Sequence, residues 1–235
     1  MTLSPLRVLA VRALSSVARH ALFYIVIVLA TIACFALVTA AWHSPAAEPF
    51  VDFTAVPLLD TIVITIALAD LRGTRSPAAV WSRVLERTWA TILLTVAANF
   101  IAWEGIASLV GGFVDKLYAI FFLLVSATIV YAPVVAVVDD ETPWWMLVWR
   151  AFGASVRTAI GGANFARALM LFILQFLPVL IGAALQAQLA AHHVARAEFW
   201  GNVPIGMLLE PPLVALVAFT YFDAAGMPPS DACSE

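Results

Sequence analysis

Three carboxyls stand where carboxyls are costly. Asp60, Glu104 and Glu210 each interrupt an otherwise apolar stretch, and Asn99 lies one to two helical turns from Glu104. Inside a bilayer an ionised carboxylate costs on the order of 3 kcal/mol on insertion scales. Each of these groups is therefore protonated or partnered. Together, Asp60, Asn99, Glu104 and Glu210 could line one polar pocket that takes a cation, a proton or a lipid headgroup. Separately, the three acids could bond to nearby Thr, Trp or backbone groups, and the residues alone leave both readings open.

Other reactive side chains point to less. His192 and His193 are adjacent, so on a helix they diverge by about 100° and do not chelate one ion as an i, i+4 pair would. They read as a hydrated pair near an interface, and His20 and His43 flank an apolar run. No histidine lies in the middle of such a run, which counts against a haem held between two helices. A lipid, or a pigment ligated near a surface, stays open, and no motif for a cofactor occurs. Asp139, Asp140 and Glu141 could hold a divalent ion, but acids just before a helix favour its dipole, and that is the preferred reading. Cys34 and Cys233 read as two unpaired thiols. A Ser–His–acid set, a Gly-rich phosphate loop and zinc-ligand spacing are all lacking, so no enzyme is expected.

The elements that must carry these residues are long and apolar. Ala21–Trp42 and Leu117–Val138 hold no Asp, Glu, Lys or Arg, and neither does Ala168–Ala195. A bilayer core about 30 Å thick needs roughly 20 apolar residues of helix, and each run is long enough. The 235 residues are 63% hydrophobic and 11% charged, far from the soluble norm of about 25% charged. No polar stretch could bury a core of its own, so residues 1–235 read as one integral membrane domain. A net charge of −3 lacks the basic face that nucleic acid requires. The run from Ala21 is longer than a signal-peptide core and reads as an anchor. Eleven arginines against one lysine, with abundant alanine, suggest a GC-rich bacterial genome.

The expected fold is an all-α bundle of six spans: 21–42, 55–70, 88–110, 117–138, 167–188 and 204–222. Residues 1–20 and 223–235 then form cytoplasmic ends. Arg7, Arg12 and Arg19 precede the first span. Arg72, Arg75, Arg83 and Arg87 fall between the second and third, and Arg150, Arg157 and Arg167 between the fourth and fifth. The opposite loops hold Lys116 and Arg196. Ten positive charges against two alternate as the positive-inside rule requires, with both termini cytoplasmic in a bacterial inner membrane. The eight tryptophans, near span ends, fit interface anchoring. Gln175, Pro178, Gln186 and Gln188 could kink the fifth span or join it to other helices, and a packing role is the preferred reading.

Two loops resemble each other. Ser76-Pro77 opens one and Thr142-Pro143 the other, each a helix-start signal. Trp81, Arg83 and Arg87 follow the first; Trp145, Trp149, Arg150 and Arg157 follow the second. Each predicts an amphipathic helix in the headgroup layer, the second ending at Gly161-Gly162. This makes two parallel copies of span, interfacial helix, span.

Tyr131-Ala132-Pro133-Val134-Val135-Ala136-Val137-Val138, an acidic turn, then Trp145 to Arg150, Ala151-Phe152 and Arg157 form a pattern with a known counterpart. It resembles the membrane domain of bacterial glycerophosphoryl diester phosphodiesterases and related uncharacterised six-helix inner-membrane proteins, over about residues 55–190. The family's arginine–glycine–asparagine turn is reduced to Gly161-Gly162-Ala163-Asn164. These residues carry no soluble phosphodiesterase domain, so its catalysis does not carry over. The resemblance implies a membrane domain that assists membrane processes.

Three functional classes are left. The favoured expectation is a structural or accessory subunit of a larger respiratory, photosynthetic or transport complex, or a scaffold, with membrane lipids and other subunits as partners. The alternative is a small permease using the carboxyl cluster. Third is a membrane enzyme acting on lipid through Asp139–Glu141.

Overall fold

The computed structural model describes residues 4–41, 47–73, 77–161, 164–194 and 197–227, and the regular structure of these residues is all helical. Four stretches are long and apolar enough to cross a membrane: Ala78–Ser108, Phe113–Val138, Asn164–Ala191 and Pro204–Ala224. A fifth is added if the bent pair Leu6–Arg19 and Ala21–Ala30 counts as one.

The first helix, α1 (Leu6–Arg19), occupies a stretch expected only as a cytoplasmic end. It begins after Pro5, and Leu9, Ala13 and Ser16 are buried while Arg7 and Arg12 stay exposed. That spacing is a one-sided helical stripe. The chain then bends by 71° into α2 (Ala21–Ala41).

At the centre stands α3 (Ala47–Arg72). Every residue from 59 to 68 is buried, so this helix has no free face there. Its polar side chains turn inward on the backbone: Thr61 Oγ1 donates to the Pro57 carbonyl and Thr65 Oγ1 to the Thr61 carbonyl, each at 2.7 Å. Such back-bonding lets hydroxyls sit in an apolar bundle. The helix runs through Pro57 rather than starting near it, which extends the expected span 55–70 at both ends.

The next helix, α4 (Pro77–Ser108), corrects the sequence reading. A separate interfacial helix was expected around Trp81, Arg83 and Arg87, followed by a span at 88–110. Instead one unbroken helix of 32 residues carries both. At about 1.5 Å per residue it is longer than a hydrocarbon core is thick. Proline at the first position starts a helix equally well whether that helix is short or long.

The fourth expected span is two pieces, α5 (Phe113–Thr128) and α6 (Ala132–Val138). The second loop does hold a separate helix, α7 (Trp144–Ile160), which ends at Gly161. The two copies of the expected repeat therefore differ. The fifth span is broken into α8 (Asn164–Leu174) and α9 (Leu177–Ala191) at Gln175–Phe176, just before Pro178, whose ring cannot continue the preceding ladder. Last comes α10 (Ala197–Ala224), which holds Pro204, Pro211 and Pro212 within one helix.

α3, α6 and the second half of α10 make the core. Residues 134–138 and 214–222 are buried throughout, and α3 packs on α4, α6 and α10. The opposite end is looser: Phe113, Val114, Leu117 and Tyr118 in α5 and Val179 and Leu180 in α9 are exposed.

Candidate functional site

Two polar groupings mark the bundle, one at its densely packed end and one midway along it. At the packed end, among the described residues, five arginine–carboxylate pairs and a His20–Asp70 contact link the helices. Asp70, near the end of α3, accepts the Ser16 hydroxyl at 2.6 Å and lies 3.4 Å from Arg19 and 3.2 Å from His20 Nε2. Asp223, near the end of α10, accepts the Ser4 hydroxyl at 2.6 Å, the Ser4 N–H at 3.0 Å and Arg167 Nη1 at 3.0 Å. Arg167 also donates to the Ser4 carbonyl. α1 is thus fixed at both its ends.

The turn after α6 is built in the same way. Asp139 Oδ1 accepts the N–H groups of Glu141 and Thr142 at 3.1 and 3.0 Å. Thr142 Oγ1 donates to Asp139 Oδ2 at 2.7 Å and accepts Arg150 Nη1 at 2.5 Å, while Arg150 Nε lies 3.1 Å from the same carboxylate. Asp140 pairs with Arg83 and with Arg72, the latter at 3.7 Å. Partial burial pushes the Asp139 carboxyl up, but the Thr142 and Glu141 hydrogen bonds and the Arg150 charge outweigh it, holding it below its ordinary value. The Arg83 hydrogen bond does the same for Asp140 against a smaller burial effect, helped by the charges of Arg83, Arg72 and Arg87. These acids act as helix-end anchors for arginines.

A shallow pocket of about 360 Å³ opens here, lined by Arg72, Asp139, Asp140, Arg150, Arg157 and Tyr221 among others. Acids and arginines alternate around it, so it presents no single sign of charge. Of the expected interfacial residues, Trp81, Trp145, Trp149, Arg150 and Arg157 are exposed and Arg83 and Arg87 half-buried. Those on α7 share a helix with Met146 and Ile160, both also exposed.

Midway along the bundle the expected pocket residues divide. Asp60 is 7% exposed, its Oδ1 has no hydrogen-bond partner among the described residues, and it lies within electrostatic reach of Glu210. Glu210 sits on α10, which packs against α3. Both acids fall near the middle of their helices. Asn99 and Glu104 lie on exposed positions of α4, with Glu104 close to its end. Asp60 and Glu210 stand within electrostatic reach of each other on two packed helices, while Asn99 and Glu104 lie at exposed positions.

The sequence reading missed Ser4, Asp70, Ser155 and Asp223. Asp70 and Asp223 do carry a signal, since each stands at the last turn of an apolar run, opposite an arginine-bearing stretch. Among the described residues no three His, Cys, Asp or Glu side chains converge where a metal ion could sit, and His192 and His193 are exposed beyond α9. No protein-family model matches the chain, and neither a curated protein nor a solved structure shows significant similarity to it.

Proposed function

We propose that this chain is a non-enzymatic protein of the bacterial cytoplasmic membrane that crosses it six times with both termini inside. Its role is that of a structural or accessory subunit of a larger membrane complex, or of a membrane scaffold. The six spans are α2, α3, α4, α5 with α6, α8 with α9, and α10. The ion-paired end is the cytoplasmic one, in keeping with the arginine bias, and α1 and α7 lie along that surface. The resemblance to phosphodiesterase membrane domains fits such a supporting role.

The observation that carries this reading is the way α7 is held. Arg150 ties it to Asp139, and Ser155 ties it to the α5–α6 break, yet Trp145, Met146, Trp149 and Ile160 face outward, at 62, 45, 78 and 60% exposure. A rigid helix that presents tryptophans beside arginines suits contact with lipid headgroups and with a neighbouring subunit. Placing a photo-crosslinking amino acid at Trp145 or Trp149 in native membranes tests this. One protein adduct of defined mass from both positions supports a subunit role. Lipid adducts alone would remove the case for a partner protein. The carrier alternative draws on Asp60 and Glu210, and pH-dependent flux in proteoliposomes addresses it.

A further inference from the structure

The central helix holds an acid that its surroundings do not neutralise. Asp60 is more than nine-tenths buried, at 7% exposure, and its Oδ1 finds no donor among the described residues. The charged group acting on it is another acid, Glu210, across the α3–α10 contact. Among the described residues no base approaches from the other helices packed on α3. α6 has no ionisable side chain, and α2 has no carboxylate or base. α4 keeps Arg83, Glu86 and Arg87 near one end and Glu104, exposed, near the other. On α1, Arg7 and Arg12 are exposed and Arg19 pairs with Asp70.

Depth agrees between the two acids. Asp60 stands about twelve residues, roughly 18 Å of helix, from Arg72; Glu210 stands about thirteen residues, roughly 20 Å, from Asp223. Packing loosens beyond them. Toward the ion pairs everything from Thr61 to Leu68 is buried; on the other side Pro57 and Leu59 are buried, while Leu58 is 39% and Leu208 65% exposed. Two adjoining carboxylates in such a place cannot both stay ionised without a counter-charge. The lightest counter-charge needs no coordination shell and no larger cavity.

We propose that Asp60 and Glu210 form a proton-binding pair in the middle of the bundle, retaining at least one proton at neutral pH and exchanging it toward the looser end. The proposal concerns the protonation state of the pair and holds whether the bundle serves as a scaffold or a carrier. Crosslinking from α7 and flux assays address those two readings, so each fails separately from this one.

The test is labelling of purified protein in detergent with a hydrophobic carbodiimide, which adds to carboxylic acids in their protonated form, followed by peptide mass spectrometry. Asp60 or Glu210 is expected to carry the label at neutral pH and to lose it as pH rises, while Glu104, exposed near a helix end, serves as the internal comparison. In E210Q, which keeps the side chain's size and hydrogen bonding, Asp60 stays labelled. The pH at which half its label is lost then falls, because a like charge is gone. D60N, if it folds, leaves Glu210 as the pair's remaining target. Labelling of Glu104 in preference to both acids overturns the proposal, as does a profile for Asp60 unchanged by E210Q. Protection by sodium or potassium at constant pH overturns it in favour of a metal-ion site.

Discussion

The Ser155 hydroxyl closes the chain break at Tyr131: it accepts the Tyr131 N–H at 3.1 Å and donates to the Thr128 carbonyl at 2.9 Å. A helix broken between Thr128 and Ala132 leaves backbone groups without ladder partners, and in an apolar setting each must find another. α7 supplies one hydroxyl that serves a donor and an acceptor together. S155A is expected to destabilise the protein by about 1–3 kcal/mol, the cost of leaving buried polar groups unmade. Thermal unfolding in a fixed detergent measures it, and S155T should recover part of the loss.

A second expectation concerns α1. Asp223 and Arg167 are 16% and 12% exposed, and Ser4 bonds to both. R167A leaves the Asp223 carboxylate without its cation and is expected to cost about 2–3 kcal/mol, in the range for charged hydrogen bonds. The loss should register as faster proteolysis or hydrogen exchange in Leu6–Arg19, with α8 and α9 largely unaffected. Equal acceleration across the molecule would show that the contact serves the whole fold and not the docking of α1.

Acid should loosen α7 before the bundle opens. Asp139 and Asp140 sit below their ordinary value of 3.8 in the folded protein, so as pH falls the unfolded chain binds protons first. Their contribution is complete above about pH 4 and is lost as pH drops further, through their folded values. Asp140 is about half exposed and its share is screened by solvent, which leaves Asp139 the greater part. Trp145 and Trp149 report on α7, so tryptophan fluorescence is expected to change below pH 4 while helical circular dichroism persists. D139N should show the changed signal already at neutral pH and a flatter acid profile.

Sidedness has a direct test. In a background where Cys34 and Cys233 are replaced by serine, S82C and R157C should react in intact cells only with a permeant thiol reagent. S108C and H192C should react with an impermeant one. Reaction of R157C from outside would reverse the proposed topology.

Much of the fold is written in local pattern. The apolar runs, the break at Gln175–Phe176 ahead of Pro178, and the stop of α7 at Gly161 follow from chain chemistry within a turn or two. The stripe of Leu6, Leu9, Ala13 and Val17 was equally legible as a helix, yet three arginines among apolar residues read just as easily as an unstructured cytoplasmic end. Pro57 lies inside α3 without ending it, as prolines do in helices packed among others. The site was less legible. Which of three acids meet depends on how α3, α4 and α10 pack across some 150 residues of sequence. Spacing along one helix gives a position on that helix and says nothing of which other helix faces it. Ser155 was hidden for a related reason: Pro133 marks the α5–α6 break in its own segment, but nothing local ties that break to a hydroxyl on α7.

The burial of α3 on every side has a bearing on how the protein is made. Its packing partner α10 lies about 150 residues further along the chain, so α3 is made well before the surface that covers it. Until that surface exists, Asp60 and the α3 threonines lack the cover they have in the folded bundle.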